Sequence, residues 1–319
     1  MAKLYEYIVR RVFAIIPLLL VITLLVFTLI HIAPGDPFSS MFGTETGVEE
    51  EKILREVYIK KWGLDKPIWE QYFYWLYNAI QGDLGYSFMT GRPVFELIIE
   101  RIPFTIELGG LSLLISLAIG IPLGVISAVK ERTTIDRLAT SASVVAYSLP
   151  SFWVGIVMII FFSVTLGWFP TSGAGMGEGL GEHLKSLIMP TLVLGLGGIG
   201  LLTRLTRNSV LEVLKEDYIT TARAKGVKEY NVIYKHALRN ALLPVVTVLG
   251  LQLAFILSGA VLVETVFAWP GMGRFFVLSA NRRDYTTLMG INLTISVTIL
   301  MAMLVTDIAY AFIDPRIKY

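Results

Sequence analysis

Apolar residues gather into long runs along the chain, separated by polar segments of very unequal length. The first run, Val12 to Ile30, is interrupted only by Thr23 and Thr28. As a helix it covers about 28 Å, close to the roughly 30 Å hydrocarbon core of a bilayer. Further runs lie at about Leu108–Val129, Leu138–Leu166, Leu187–Thr203, Ala241–Val263 and Thr287–Thr306. Each predicts a transmembrane helix. The expected fold class is therefore all-α and integral to the membrane, with six spans and both termini on one side. A cleavable signal has a shorter apolar core and a small-residue cleavage site; neither is seen, and the first run is read as a retained span. The third run contains Ser148-Leu149-Pro150-Ser151, where the proline predicts a kink or break.

Two polar segments are longer than a connector requires. The first, His31 to Pro103, holds a predicted helix at Glu49–Trp62 and the aromatic-rich stretch Trp69 to Tyr77. Aromatics in such number suit a membrane-interface belt, or equally a docking surface for an external partner. The second runs from about Arg204 to Asn240. Val210, Leu214, Tyr218 and Ala222 recur there every four residues and predict one apolar stripe on a helix. Gly226 stands where that helix should end, with Arg223 and Lys225 favourably placed in its last turn. A second helix, about Lys228 to Arg239, leads toward Pro244 and the fifth span. A short helix closed by a sharp turn makes a knob that can fill a cleft in a partner. A helix resting on membrane lipid would carry the same pattern.

Charge assigns the sides. Lys and Arg concentrate at Arg10, Arg11, Lys130, Arg132, Arg204, Arg207, Arg223, Lys225, Arg316 and Lys318, so both termini are expected in the cytoplasm. A cysteine at Ser87 should be reachable from outside, and one at Thr134 only from inside. Composition agrees with a membrane protein: 55% of residues are hydrophobic, 16% are charged and the mean hydropathy is +0.67. The net charge of +2 is too small to imply a nucleic-acid partner. The chain has no cysteine, which excludes disulfides, thiolate metal sites and a cysteine nucleophile.

Catalytic chemistry is hard to find. No P-loop occurs, so the chain is not expected to bind ATP or to be an enzyme. His31, His183 and His236 lie outside the spans and form no close metal-ligand pair. Ser112 has no base within a span to activate it. Tyr147, Ser148, Gln252 and Asn292 are candidates for a translocation path. Gln252 and Asn292 would be costly facing lipid, although hydrogen bonds between helices explain them equally well. No acidic pair lies deep enough for a proton relay, which counts against an ion-coupled secondary transporter. Small residues at Gly120 and Gly124, and at Gly250, Ala254 and Ser258, mark close helix contacts within this subunit or with a second one.

The stretch Asp217-Tyr218-Ile219-Thr220-Thr221-Ala222-Arg223-Ala224-Lys225-Gly226, continued by His236-Ala237-Leu238-Arg239-Asn240-Ala241-Leu242-Leu243-Pro244, resembles the cytoplasmic coupling loop (EAA loop) of ABC importer permeases. The general Glu-Ala-Ala positions fall on Thr220, Thr221 and Ala222, so only the second alanine is kept. That departure is similar to the dipeptide, oligopeptide and nickel branch. Two more stretches resemble its B-type permease: Tyr7 to Pro37, and Gly82-Asp83-Leu84-Gly85-Tyr86-Ser87 continuing to Leu108. The resemblance implies type I importer architecture, with an N-terminal region at 1–101 and a permease domain at 102–313. It implies that Asp217, Tyr218, Thr221, Ala222, Arg223, Ala224, Lys225 and Gly226 couple to ATPase subunits. The implied partners are a second, C-type permease, two ATPases holding ATP and magnesium, an extracytoplasmic solute-binding protein and a peptide cargo. Nickel or another small solute is the alternative cargo. The implied location is the plasma membrane of a prokaryote.

Overall fold

The computed structural model describes residues 2–32, 56, 59, 65–177, 179–257 and 260–313. Most of the helix expected over Glu49–Trp62, the motif Pro34-Gly35-Asp36-Pro37 and Ser258 lie outside them, as do the side chains of Ala254 and Asp307. Among the described residues the fold is helical, and the single extended pairing is a bridge between Tyr86 and Pro93.

The first apolar run forms α1 (Ala2–Ile32). The aromatic-rich stretch forms α2 (Ile68–Ile80), which lays one face on α1. Thr23 Oγ1 and the Tyr72 hydroxyl are 3.0 Å apart, and Phe27 meets the Tyr72 ring edge-on at 5.4 Å. The opposite face of α2, with Trp69, Phe73, Tyr74 and Tyr77, is exposed. Next come α3 (Val94–Ile99) and α4 (Ile102–Val129). Pro103 sits in the first turn of α4, where its missing N–H costs nothing.

The third run divides into α5 (Thr134–Ser148) and α6 (Ser151–Met158), which continues as a π-helix over Ile159–Thr165. The two arms meet at 97° across Leu149 and Pro150. The expected kink is thus a right-angled break. Neither arm, at about 22 Å, crosses a bilayer by itself.

In contrast, α7 (Leu180–Val213) runs for 34 residues, well past the predicted Leu187–Thr203. It continues because Leu202, Thr206 and Val210 keep a buried face at helical spacing. The polar segment then supplies α8 (Asp217–Ala224), α9 (Glu229–Asn231), a π-helix over Val232–Ala237 and α10 (Leu238–Ala241). The fifth run is also divided, into α11 (Leu243–Leu257) and a separate α12 (Val261–Val266). The last helices are α13 (Met272–Asn281) and α14 (Tyr285–Ile313). Phe13–Ile32, Val94–Val129, Leu180–Val213 and Tyr285–Thr306 are each long and apolar enough to cross a membrane, and the bent pair adds at most one more crossing. α11, at 15 residues, falls short of a full crossing alone.

The central seam joins α4 to α7. Ser112, Ser116, Gly120 and Gly124 recur every four residues and put one face of α4 against α7. Ser112 Oγ is 3.2 Å from the Thr191 carbonyl, and Ser116 Oγ is 2.9 Å from that of Gly195. A Cβ at Gly124 would lie 2.6 Å from Thr206 Cβ and 2.7 Å from the Thr203 carbonyl. Contacts advance along both helices together, so the two run parallel. The Gly120–Gly124 pair therefore packs within the subunit, letting backbones approach where lipid gives no hydrophobic drive. Gly200 fits against α5 in the same way, and Gly250 fits against Thr306 of α14.

Candidate functional site

The polar segment after α7 folds as a compact knob. Its helix α8 ends in a Schellman turn. The Val227 N–H donates to the Ala222 carbonyl at 3.3 Å, and the Gly226 N–H to that of Arg223 at 2.9 Å. Gly226 adopts φ +77, the left-handed conformation that glycine takes without steric cost. Across this turn the Arg223 guanidinium grips the Glu229 carboxylate, with Nη2 at 2.6 Å from Oε1 and Nε at 3.2 Å from Oε2. That contact holds Arg223 above its usual pKa and Glu229 below its own, through the shared hydrogen bonds. The hydroxyl of Tyr218 accepts from Asn240 Nδ2 at 2.8 Å, tying α8 to α10.

The buried face of α8 differs from the expected stripe. Val213 ends α7, and the turn at Leu214–Glu216 breaks the phase, so Val210 and Tyr218 do not lie on one continuous helix. Ile219 is the residue fully buried. It packs with Val232 and Ala237, and Val213, Leu214, Ala222 and Val227 close around them. Ala222 thus supports the knob from inside. Asp217, Tyr218, Thr221, Arg223, Ala224, Lys225 and Gly226 are exposed and form its outer surface. Beside them, at the elbow between α7 and α8, an open depression of ≈ 550 Å³ is lined by Asn208, Leu211, Glu212, Lys215, Glu216 and Asp217.

The candidate path residues are not brought together. Gln252 approaches α7 at Gly198, whereas Tyr147 approaches it at Gly200. Two residues apart is about 200° around a helix, so they meet opposite faces. Tyr147 and Ser148 are exposed beside the right-angled break. Asn292 donates one of its amide hydrogens to the Leu288 carbonyl of its own helix at 2.8 Å.

Besides Asp136, two buried carboxylates were not legible in the sequence. Glu264 is fully buried, accepts from Thr105 Oγ1 at 3.1 Å and from the Arg274 N–H at 2.9 Å, and so caps α13. Gly271 is needed opposite it, because a Cβ there would collide with the carboxylate. Asp284 opens α14, accepting from Thr287 Oγ1 at 2.8 Å and from Ser87 Oγ at 2.6 Å. Ser87 is consequently buried, and the expectation that a cysteine there would be open to reagents is corrected. The available signals were an acid closing an apolar run, at Val263-Glu264, and an acid before a span, at Asp284. Among the described residues no group of three or more His, Asp or Glu side chains is placed to hold a metal ion.

A long helix delivered into a Schellman-closed knob is the arrangement to set beside known proteins. Residues 120–319 match the family described as binding-protein-dependent transport system inner membrane component, and residues 4–109 match its N-terminal counterpart. The chain belongs to this family. Within it, the chain is 44% identical to the oligopeptide transport system permease protein AppB of Bacillus subtilis, over 98% of this chain and 99% of that protein. It is 39% identical to the dipeptide transport system permease protein DppB of Escherichia coli and 40% identical to the glutathione transport system permease protein GsiC of the same species. Each of those alignments covers 98% of this chain and 99% of the relative. A solved structure, the inward-facing MetNI methionine ABC transporter, superimposes with a TM-score of 0.57 at 18% identity, covering 68% of this chain and 96% of that one. The inner membrane component thus has an ABC-transporter permease fold.

Proposed function

We propose that this inner membrane component forms half of the translocation path of an ATP-driven peptide importer, and that its knob receives the stroke of a separate ATPase. The observation that carries the reading is the construction of the loop. A short helix is locked by a Schellman turn and an ion pair, is packed from inside by Ile219, and stands at the end of a 34-residue helix. Such a body moves as a unit, and α7 offers it a stiff lever.

The partners in this reading are a second permease, two ATPases carrying ATP and magnesium, and an extracytoplasmic binding protein. The reading takes six crossings, with α11 and α12 sharing the one that α11 is too short to make alone, both termini cytoplasmic, and a permease domain that begins near residue 102. The cargo is a short peptide, a class that includes the oligopeptide, dipeptide and glutathione named for the relatives.

The test is reconstitution of the whole complex in proteoliposomes. Labelled di- or oligopeptide should accumulate only with ATP and loaded binding protein. Uptake by this chain without ATPase subunits, driven by a sodium or proton gradient, would overturn the proposal.

A further inference from the structure

Asp136 is 4% exposed, yet four parts of the fold converge on its carboxylate. Arg207, from the last two turns of α7, brings Nε to 2.6 Å from Oδ1 and Nη2 to 2.8 Å from Oδ2. Ser127, at the end of α4, donates to Oδ1 at 2.5 Å. The Arg132 N–H, from a turn with φ +62 at that residue, donates to Oδ2 at 2.9 Å. Thr140 reaches Oδ1 from the next turn of α5 at 3.3 Å. Close by, Val125 and Ala128 of α4 pack with Val210 of α7 and with Ile233 and Ala241 of the knob.

We infer that Asp136 and Arg207 are positioning residues, a joint that passes displacement of the knob from α7 into α4 and α5. The inference rests on the proposed function, because it needs a partner to push the knob. A push at α8 is passed directly to α7, since only the turn at Leu214–Glu216 separates them. Toward the knob, at Gly120 and Gly124, the seam between α4 and α7 is made of small residues and dispersion contacts, which resist separation better than slip or rotation. A guanidinium–carboxylate fork is directional and fixes both. As a source of stability the pair is a poor choice, because apolar side chains in a buried site often do as well. Fixing the register of three helices is what an apolar cluster cannot supply.

The test uses the reconstituted complex and reads peptide transported per ATP hydrolysed. Asp136→Asn keeps size and removes charge; Arg207→Lys keeps charge and removes the fork. Both should co-purify with normal amounts of ATPase and hydrolyse ATP at the basal rate, while peptide per ATP falls about tenfold. If uptake and hydrolysis fall together with the amount of assembled complex, the pair is only a brace and the inference is overturned. Unchanged transport in both variants overturns it as well. Should Asp136→Asn fail to assemble, Arg207→Lys and Ser127→Ala decide by the same ratio. Wild-type complex without ATP-driven uptake would bring down the proposed function and the joint with it. Wild-type uptake with unaltered variants would bring down the joint alone.

Discussion

Val227 and Ala222 are bound across the end of α8, N–H to carbonyl at 3.3 Å, and their side chains pack in the same apolar cluster around Ile219. The same two residues thus share a hydrogen bond and an apolar contact, a pairing that frequently accompanies the Schellman motif. The residue between them that cannot be exchanged freely is Gly226.

Gly226→Val should strain the turn by on the order of 1–2 kcal/mol, since a β-branched residue is forced to positive φ. No atom of this chain lies within 4 Å of the position of its Cβ, so within the chain the effect is one of backbone. Gly226→Asn should be tolerated better, because asparagine enters the left-handed region more readily. Peptide uptake by the two variants, at matched amounts of membrane-inserted protein, measures the difference.

Ala222→Asp and Lys225→Glu should fail in different ways. Ala222 faces the Ile219 cluster, so a carboxylate there costs about 1–3 kcal/mol and loosens the knob. Lys225 is exposed, so its replacement should leave the knob folded and weaken only the contact with the ATPase. Limited proteolysis within residues 214–240 should be faster in Ala222→Asp alone, while ATPase co-purification should drop in both.

Gly124→Val should lower the melting temperature in detergent, at a cost of about 1–3 kcal/mol, because Thr206 and the Thr203 backbone leave no room. Gly110→Ala, with nothing within 4 Å of its Cβ, should melt unchanged or higher by up to ~1 kcal/mol. Equal melting of the two would contradict the close α4–α7 seam.

Topology can be read by labelling, since the chain has no cysteine of its own. Thr90 and Thr134 are exposed and Ser87 is buried. Thr90→Cys should react with an impermeant reagent on intact cells, Thr134→Cys only after the membrane is opened, and Ser87→Cys slowly in either case. Labelling of Thr134→Cys from outside would reverse the assigned orientation.

Much of this was legible in the sequence. The apolar runs, the turn at Gly226 and the break at Pro150 each follow from local rules of hydropathy, glycine conformation and proline geometry. The stripe from Val210 to Ala222 fails at Tyr218, because periodicity carries no information on phase across a turn, and Leu214–Glu216 shifts it so that Ile219 faces inward. The roles of Asp136, Glu264 and Asp284 depend on partners such as Arg207, Thr105 and Ser87, which are distant in the chain and adjacent only in the fold. Gln252 and Asn292 stand out in the sequence by polarity alone. Polarity does not say whether a side chain faces a cavity or, like Asn292, its own backbone.

Cross-linking from the knob tests the central claim most directly. A single cysteine introduced at Lys225 carries a short photo-reactive group, and the reconstituted complex is illuminated with and without ATP. The account predicts a covalent adduct between this chain and the ATPase subunit, with a yield that changes when ATP is bound. Adducts to lipid alone, unchanged by ATP, would show that the loop rests on the membrane surface and would contradict its role as the coupling element.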